Sequence, residues 1–310
     1  MSGQWVQRRL GLRYFLGELP LFQVNFNLAR LDRHFSELTD TPDESLVRWD
    51  ALGPVEGVLY RSHPVGSDMP SLKRLPQAIR YVPVQYEHYY LEFAGTFDDY
   101  LGKFPQKQRY NLKRTVRKYA EFAGGLDCRQ FRTRDEVAQF YSQARELSTK
   151  TYQERILGVG LPGEDAFRDD LLAKAERGEV RCFMLYHAQR PVSYLHCRSA
   201  GNVLLYDYIG YDPEYAAWSP GTVLQMCVIE MLFAEGSFRL LDFGQGAAQY
   251  KRMFSTGSQR CADIYYFRPT LRNGFYVRLH RSMDRFSSAI GRRLAAWGLK
   301  DRVKKLMRSR

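Results

Sequence analysis

One stretch constrains this chain more than any other: residues 207–251. It opens with Asp207-Tyr-Ile-Gly-Tyr-Asp-Pro213, crosses a short polar segment, and reaches Ser219-Pro-Gly-Thr222 at the head of an apolar run. Arg239-Leu-Leu-Asp-Phe-Gly-Gln-Gly246 follows, then Tyr250-Lys251. The pattern predicts a strand, a helix, a second strand ending near an acidic residue, and a short helix. Pro220 fits the first helical turn, and Gly221 allows close approach to the backbone. Such a helix start carries free N–H groups with a dipole behind them, which suits an anion. A unit of this kind can hold a phosphate-bearing molecule beside a reacting group.

The elements on either side are legible from periodicity and breakers. Thr96 caps a helix whose first turn carries Asp98 and Asp99. A second helix starts at Pro105 and runs to about Phe122. Leu112, Val116 and Tyr119 mark its apolar face, and Gly124-Gly125 ends it. A strand near 126–132 and helices over 135–150 and 163–176 come next. Three strands follow over 180–187, 191–200 and 202–210, joined by turns short enough for hairpins. A helix over 220–234, a strand over 238–243, a helix over 247–254 and a strand over 262–268 complete the series. Residues 1–95 carry weaker signals, with strands over 55–62 and 81–93.

Charge divides the chain. Of the net +12, residues 268–310 carry +11 and the body only +1. The high charge therefore says little about what the body binds. In the tail, Tyr276, Leu279, Met283, Phe286, Ile290, Leu294 and Trp297 recur at helical spacing, with arginines opposite. This predicts a basic amphipathic helix, with breaks at Gly291 and Gly298. It either lies on an anionic bilayer surface or packs its apolar stripe on the body, leaving the cluster 302–310 free. With 45% hydrophobic residues the body can bury a core, and no run of 18 apolar residues exists to span a membrane. No secretory signal is read at the N-terminus. The five cysteines form no C-x-x-C pair, and reduced buried thiols are expected. The histidines show no zinc-ligand spacing, so no metal is expected.

The order of elements resembles the GNAT acyltransferase fold. Three stretches resemble its divergent branch, which holds acetyltransferases of bacterial polysaccharide gene clusters and Fem-type aminoacyl ligases. They are Lys107-Gln-Arg-Tyr-Asn-Leu-Lys-Arg114, Ser219-Pro-Gly-Thr222, and Leu241-Asp-Phe-Gly-Gln-Gly246 with Tyr250-Lys251. The resemblance covers about residues 96–268. It implies an α/β fold: a mixed sheet with splayed central strands flanked by helices. Residues 1–95 are read as a reduced or diverged N-terminal half, and 269–310 as the basic helical tail.

In that fold acyl-CoA lies beside the splayed strand, and its pyrophosphate meets the start of the following helix. By position the donor contacts are Ile209, Gly210 and Tyr211 on the strand and Ser219, Pro220, Gly221 and Thr222 on the helix. This turn departs from the common signature, which has several glycines and an Arg or Gln. Acyl transfer needs a base, hydrogen-bond donors for the carbonyl and an acid for the leaving thiolate. Asp242 is the first base candidate; it can equally cap the turn at Gly244–Gly246. Tyr250 could protonate the thiolate or pack in the core, and Lys251 could pair with a phosphate or with Asp242. His196 and Asp207 on neighbouring strands could orient a base or make a structural hydrogen bond. Arg109 and Arg114 are candidate phosphate contacts on the basic helix.

The function expected is direct transfer of an acyl group, acetyl first, from acetyl-CoA or another acyl-CoA to an amino or hydroxyl group. A cell-envelope glycan precursor is the acceptor that the family implies. The expected location is cytoplasmic, peripheral at the inner face of the membrane, with nucleic acid not favoured as a partner. Two other readings stay open: a Fem-type ligase that uses aminoacyl-tRNA, and a non-catalytic module on the same fold.

Overall fold

The computed structural model describes residues 5–17, 19–31, 33–38, 47, 49–151, 160–246 and 248–296. In chain order the strands and α-helices begin with β1 (Trp5–Leu16), β2 (Leu19–Leu31), β3 (Gly57–Pro64), β4 (Leu72–Arg74), β5 (Ile79–Tyr81) and β6 (Gln85–Glu92). Next come α1 (Phe97–Gly102), α2 (Gln106–Ala123), β7 (Asp127–Phe131), α3 (Arg134–Lys150) and α4 (Asp165–Glu176). Then follow β8 (Val180–His187), β9 (Arg190–Ala200), β10 (Val203–Tyr211), α5 (Pro220–Glu235), β11 (Leu240–Gln245), α6 (Gln249–Phe254), β12 (Gly257–Phe267) and α7 (Leu271–Ala296). The mixed α/β class expected from the sequence is the class found. The chain divides into two compact units, Tyr89–Ser258 and Met1–His88 with Gln259–Arg310.

The unit over 89–258 is built on the sheet β11-β10-β9-β8-β7, with β10 and β11 parallel and the other pairs antiparallel. Strands β8 and β9 are apolar on both faces because helices cover both. Phe183, Leu185, Leu195 and Cys197 pack with α5 and α2, while Cys182, Met184 and Tyr194 pack with α3 and α4. Helix α5 is buried on nearly every side, as its apolar sequence requires. Capping boxes fix the starts of α1 (Thr96 with Asp99) and α3 (Thr133 with Glu136). Gly124, in the left-handed conformation, ends α2.

In the other unit, β1 and β2 form a long antiparallel hairpin, β2 pairs parallel with β3, and β12 lies antiparallel to β3 and β5. The hairpin adds two long strands to those expected over 55–62 and 81–93 in this region, since residues 22–28 alternate only weakly. Its exposed face is polar near the base, and its tip is apolar on both sides, so no single period runs through it. The strand expected over 81–93 is instead two, β5 and β6. They are separated at Pro83, which has no N–H to give a sheet ladder. Strand β12 starts five residues before the expected 262, since its first half alternates exposed Ser258 and Arg260 with half-buried neighbours.

Helix α7 packs on β1. Val277 is buried among Tyr14, Phe26 and Tyr81, with Tyr276, Leu279 and Met283 partly buried beside them. The Tyr14 hydroxyl donates to the Tyr276 carbonyl at 3.0 Å, and His280 Nε2 lies 3.0 Å from the Arg13 carbonyl. For these turns the tail's apolar stripe is used inside the protein, which is the second of the two expected readings. The helix also runs through Gly291 without the expected break, since glycine weakens a helix by only ~1 kcal/mol. The side chains of Ile290 and Leu294, together with Trp297, Gly298 and the cluster 302–310, lie outside the described residues.

Candidate active site

Strands β10 and β11 are paired over three residues only: Val203 with Leu240, Leu204 with Leu241, and Leu205 with Asp242. Beyond that point β10 continues to Tyr211, bonded to β9 alone. Its register against β9 shifts between Tyr206 and Tyr208, the mark of a bulge at Asp207. A bulge bends its strand and adds twist. The two parallel strands thus part beyond Leu205 and Asp242, and this parting is the candidate wedge.

Helix α5 begins just after the far end of β10. The link is a 3₁₀ turn, Pro213–Trp218, held in several ways. Arg190 bonds Asp212 at 2.7 Å and Glu214 at 2.8 Å, and Trp218 stacks on Phe122 at 4.1 Å. Ser219 sits in the left-handed conformation (φ 51°), and no side chain caps the helix. The Ser219 amide donates to Ala216, and those of Thr222 and Val223 donate to the Ser219 carbonyl. Pro220 has no N–H, so the amide left at this helix start is that of Gly221. A Cβ at Gly221 would first meet the Tyr211 ring, at 3.6 Å. The Tyr211 ring, at the end of β10, thus lies beside Gly221.

Gly210 has a packing role in this strand. A Cβ there would lie 2.5 Å from the Tyr194 ring, so only glycine lets β10 lie on that residue. Its carbonyl accepts from the buried Ser193 hydroxyl at 2.9 Å. Ile209 packs on the α5 side of the sheet.

Where the strands part, Asp242 is buried, and its Oδ1 accepts from the Gly244 amide at 2.6 Å. The carboxylate caps the turn, which is one of the two roles read from the sequence. Lys251 donates to the Gln245 carbonyl at 2.7 Å. Burial lowers the Lys251 pKa, opposed by the nearby Asp242 carboxylate. Burial also holds the Tyr250 hydroxyl protonated, with a pKa raised to about 12.

Tyr206, not singled out by sequence reasoning, stands in the same place. It is the first residue of β10 beyond the paired segment, and its ring lies 5.4 Å from Phe243 and 5.9 Å from Tyr250. Its hydroxyl is buried and has no hydrogen-bond partner. A buried unpaired hydroxyl costs about 1–3 kcal/mol, which argues for a use other than folding. With 21 tyrosines in the chain, only the neighbours distinguish this one.

His196 and Asp207 are brought together, but not as a hydrogen-bonded pair. Asp207 Oδ2 stands 3.8 Å from His196 Nδ1, beyond hydrogen-bond reach. Asp207 instead gives both oxygens to Arg198, at 2.5 and 3.0 Å. The expected orienting contact fails because a guanidinium on the same strand as His196 binds the carboxylate in two-pronged fashion. Neither ring nitrogen of His196 has a partner, and burial pushes its pKa down to about 4. His196, Arg198, Asp207 and Tyr208 line a recess of about 220 Å³ with Phe167 and Lys174 of α4, on the face of β10 opposite α5.

Arg109 lines a surface groove of about 540 Å³ on α2 with Gln106, Lys107, Tyr110 and Lys113. Arg114 is exposed on the same helix and does not line it. Among the described residues no three His, Cys, Asp or Glu side chains gather as a metal site, and no helix is long and apolar enough to cross a membrane.

Comparison with known proteins agrees with this fold. The C-terminal domain (DUF2156) of a protein described as a lysylphosphatidylglycerol synthetase from Agrobacterium fabrum superposes with a TM-score of 0.51. The two are 10% identical, over 84% of each chain. FemX superposes with a TM-score of 0.51 and 12% identity, over 88% of this chain and 90% of its own. At such identities the likeness is one of fold. No curated protein sequence matches the chain. Residues 106–252 match the family model described as an acetyltransferase (GNAT) domain. That span runs from the start of α2 into α6 and includes β10, Asp242 and Tyr250, so residues 106–252 are identified with a GNAT acetyltransferase domain.

Proposed function

We propose that the domain transfers an acyl group, acetyl first, from acyl-CoA directly to an amino or hydroxyl acceptor. The observation that carries this reading is the parting of β10 and β11 beyond Leu205 and Asp242. A thioester lying in that wedge would run along the backbone of Ile209–Tyr211, with its carbonyl toward the Leu205–Asp242 end and its phosphates toward Gly221. The acceptor's nucleophile attacks the thioester carbon and gives its proton to Asp242. The C–S bond breaks, and the thiolate takes a proton from Tyr250, a step that burial of the phenol opposes and that later return of the Asp242 proton to Tyr250 completes. The Tyr206 hydroxyl, free of partners, is the side-chain donor for the developing oxyanion. Lys251 steadies the Asp242 carboxylate. The chain has one glycine and no cation at the helix start, so phosphate affinity there rests on the Gly221 amide and the α5 dipole.

The acceptor enters from the opposite face of β10. There a neutral His196 offers one donor and one acceptor nitrogen, which suits a hydroxyl. A cell-envelope sugar is the acceptor that the family resemblance suggests, and a cytoplasmic position goes with acyl-CoA as donor. A second reading is aminoacyl transfer from tRNA. It is favoured by the α2 groove, where Lys107, Arg109 and Lys113 flank an exposed Tyr110, a composition that suits a polyanion with stacking bases. Incubation of the full chain with acetyl-CoA or with charged tRNA, over a panel of amino and hydroxyl acceptors, separates the two. Acetyl-CoA-dependent product supports the first reading, and product from charged tRNA alone overturns it. An absence of binding heat with acyl-CoA in calorimetry would leave a non-catalytic module.

A further inference from the structure

The hairpin formed by β1 and β2 ends in a tip that breaks the rule followed along the rest of it. Nearer the base, exposed positions of β1 are Gln7, Arg8, Arg9 and Arg13, while Leu12 and Tyr14 are buried. Past Tyr14, Glu18 is the one charged or polar side chain before Gln23. Phe15, Leu16, Leu19, Leu21 and Phe22 are all exposed, Leu19 by 52% and Leu21 by 46%. The register pairs Leu16 with Leu19 and Phe15 with Pro20, so the apolar side chains occupy both faces of the tip. A strand that served only as a cover for α7 would keep one polar face.

Helix α7 joins the tip. The Ser287 hydroxyl donates to the Phe15 carbonyl at 3.1 Å, and the Gly17 amide donates to Ser287 Oγ at 3.0 Å. This holds the neighbouring Phe286, 57% exposed, at the level of the hairpin end. Exposed Arg278 and Arg285 stand on the same helix, and Arg13 on β1. The sequence after residue 290 adds Arg292 and Arg293, and the whole segment 268–310 carries +11. An apolar tip beside an arginine-rich helix, in which Asp284 is the one acid, has two complements at once: hydrocarbon for the tip and negative charge for the helix. A bilayer surface with anionic headgroups supplies both at the same depth. A second copy of this chain would supply the apolar part but would bring arginine against arginine.

We propose that the tip of the β1–β2 hairpin, with Phe286, inserts shallowly into an anionic lipid surface, while the arginines of α7 and Arg13 contact the headgroups. The hydrophobic anchor is therefore the hairpin, since the stripe Tyr276, Leu279 and Met283 is already engaged with β1. This attachment is independent of the reaction assigned to the other unit.

The test is flotation of the full chain with vesicles of phosphatidylcholine alone and of phosphatidylcholine containing one-third phosphatidylglycerol. The double variant Leu19→Glu/Leu21→Glu is run beside it. Circular dichroism verifies that the variant is folded, and light scattering gives the mass of both proteins. The parent is expected to float with anionic vesicles only and to release in high salt. The variant, unchanged in melting, is expected to partition at least tenfold more weakly. Arg278→Gln/Arg285→Gln is expected to weaken flotation severalfold with the tip intact. Failure of the parent to float would overturn the proposal, as would equal flotation of the Leu19→Glu/Leu21→Glu protein. So would a parent dimer that this variant converts to monomer, because a second copy would then cover the tip.

Discussion

On one face of β10, Leu204, Tyr206 and Ile209 join the cluster around α5; on the other, Asp207 and Tyr208 line a polar recess against α4. Both faces leave a buried polar group without a partner, the Tyr206 hydroxyl on the first and the His196 ring on the second. They differ in what surrounds it. Tyr206 lies among aromatic rings where β11 turns away, so its hydroxyl meets neither water nor protein acceptors. His196 lies beside an ion pair already complete, Arg198 with Asp207, and is held neutral. A strand of strict alternation would keep polar groups to one side, and the bulge at Asp207 resets the alternation in mid-strand. In the proposed reaction the α5 face takes the donor and the α4 face the acceptor, and the reacting atoms meet where β10 and β11 part.

The sharpest way to break this picture is Asp242→Asn. Asparagine keeps an oxygen for the Gly244 amide but cannot take a proton. Transfer should fall about a thousandfold with little change in melting temperature, measured as turnover and by calorimetry. Equal loss of stability and activity would return Asp242 to a purely structural role.

The His196 face makes a prediction about pH. Its folded pKa of about 4 lies below the ordinary 6.5, so between these values the unfolded chain binds the proton more readily. The contribution is present above pH 6.5 and is lost as pH falls toward 4, by about 3 kcal/mol in all. Denaturant midpoints measured from pH 4 to 8 should show this slope, and His196→Leu should flatten it. A third change, Gly210→Ala, presses a methyl into the Tyr194 ring and should cost about 2 kcal/mol in the same unfolding assay.

Tyr206→Phe is the smallest change and sets the two faces apart most clearly. Removing an unpaired hydroxyl should stabilise the fold by about 1 kcal/mol and raise the melting temperature by roughly 2–4 °C. The same variant should lower transfer about tenfold if the hydroxyl serves the oxyanion. A rise in stability with unchanged turnover would remove Tyr206 from the site.

Much of the unit over 89–258 can be read from its residues. Thr96 with Asp99, Gly124, and the run from Pro220 to Gly236 mark helix ends through chemistry carried within a few positions. Periodicity identifies the covered strands β8 and β9. Asp242, Tyr250 and Lys251 were singled out because a strand, a turn and a short helix lie within ten residues of one another. Tyr206 and Arg198 escaped notice, since nothing near them in sequence separates them from other tyrosines and arginines. The hairpin β1–β2 was missed because its outer face changes from polar to apolar along its length.

The sequence alone determined the order of elements, the helix start at Ser219-Pro-Gly, the acid within β11 and the basic amphipathic character of the tail. Each depends on neighbours a few residues away. Only the tertiary structure decided that β10 leaves β11 after Leu205, that Arg198 takes Asp207 from His196, and that the tail's apolar stripe lies on β1. Pairing register, ion-pair choice and helix docking are competitions among groups distant in the chain, and they are settled by packing.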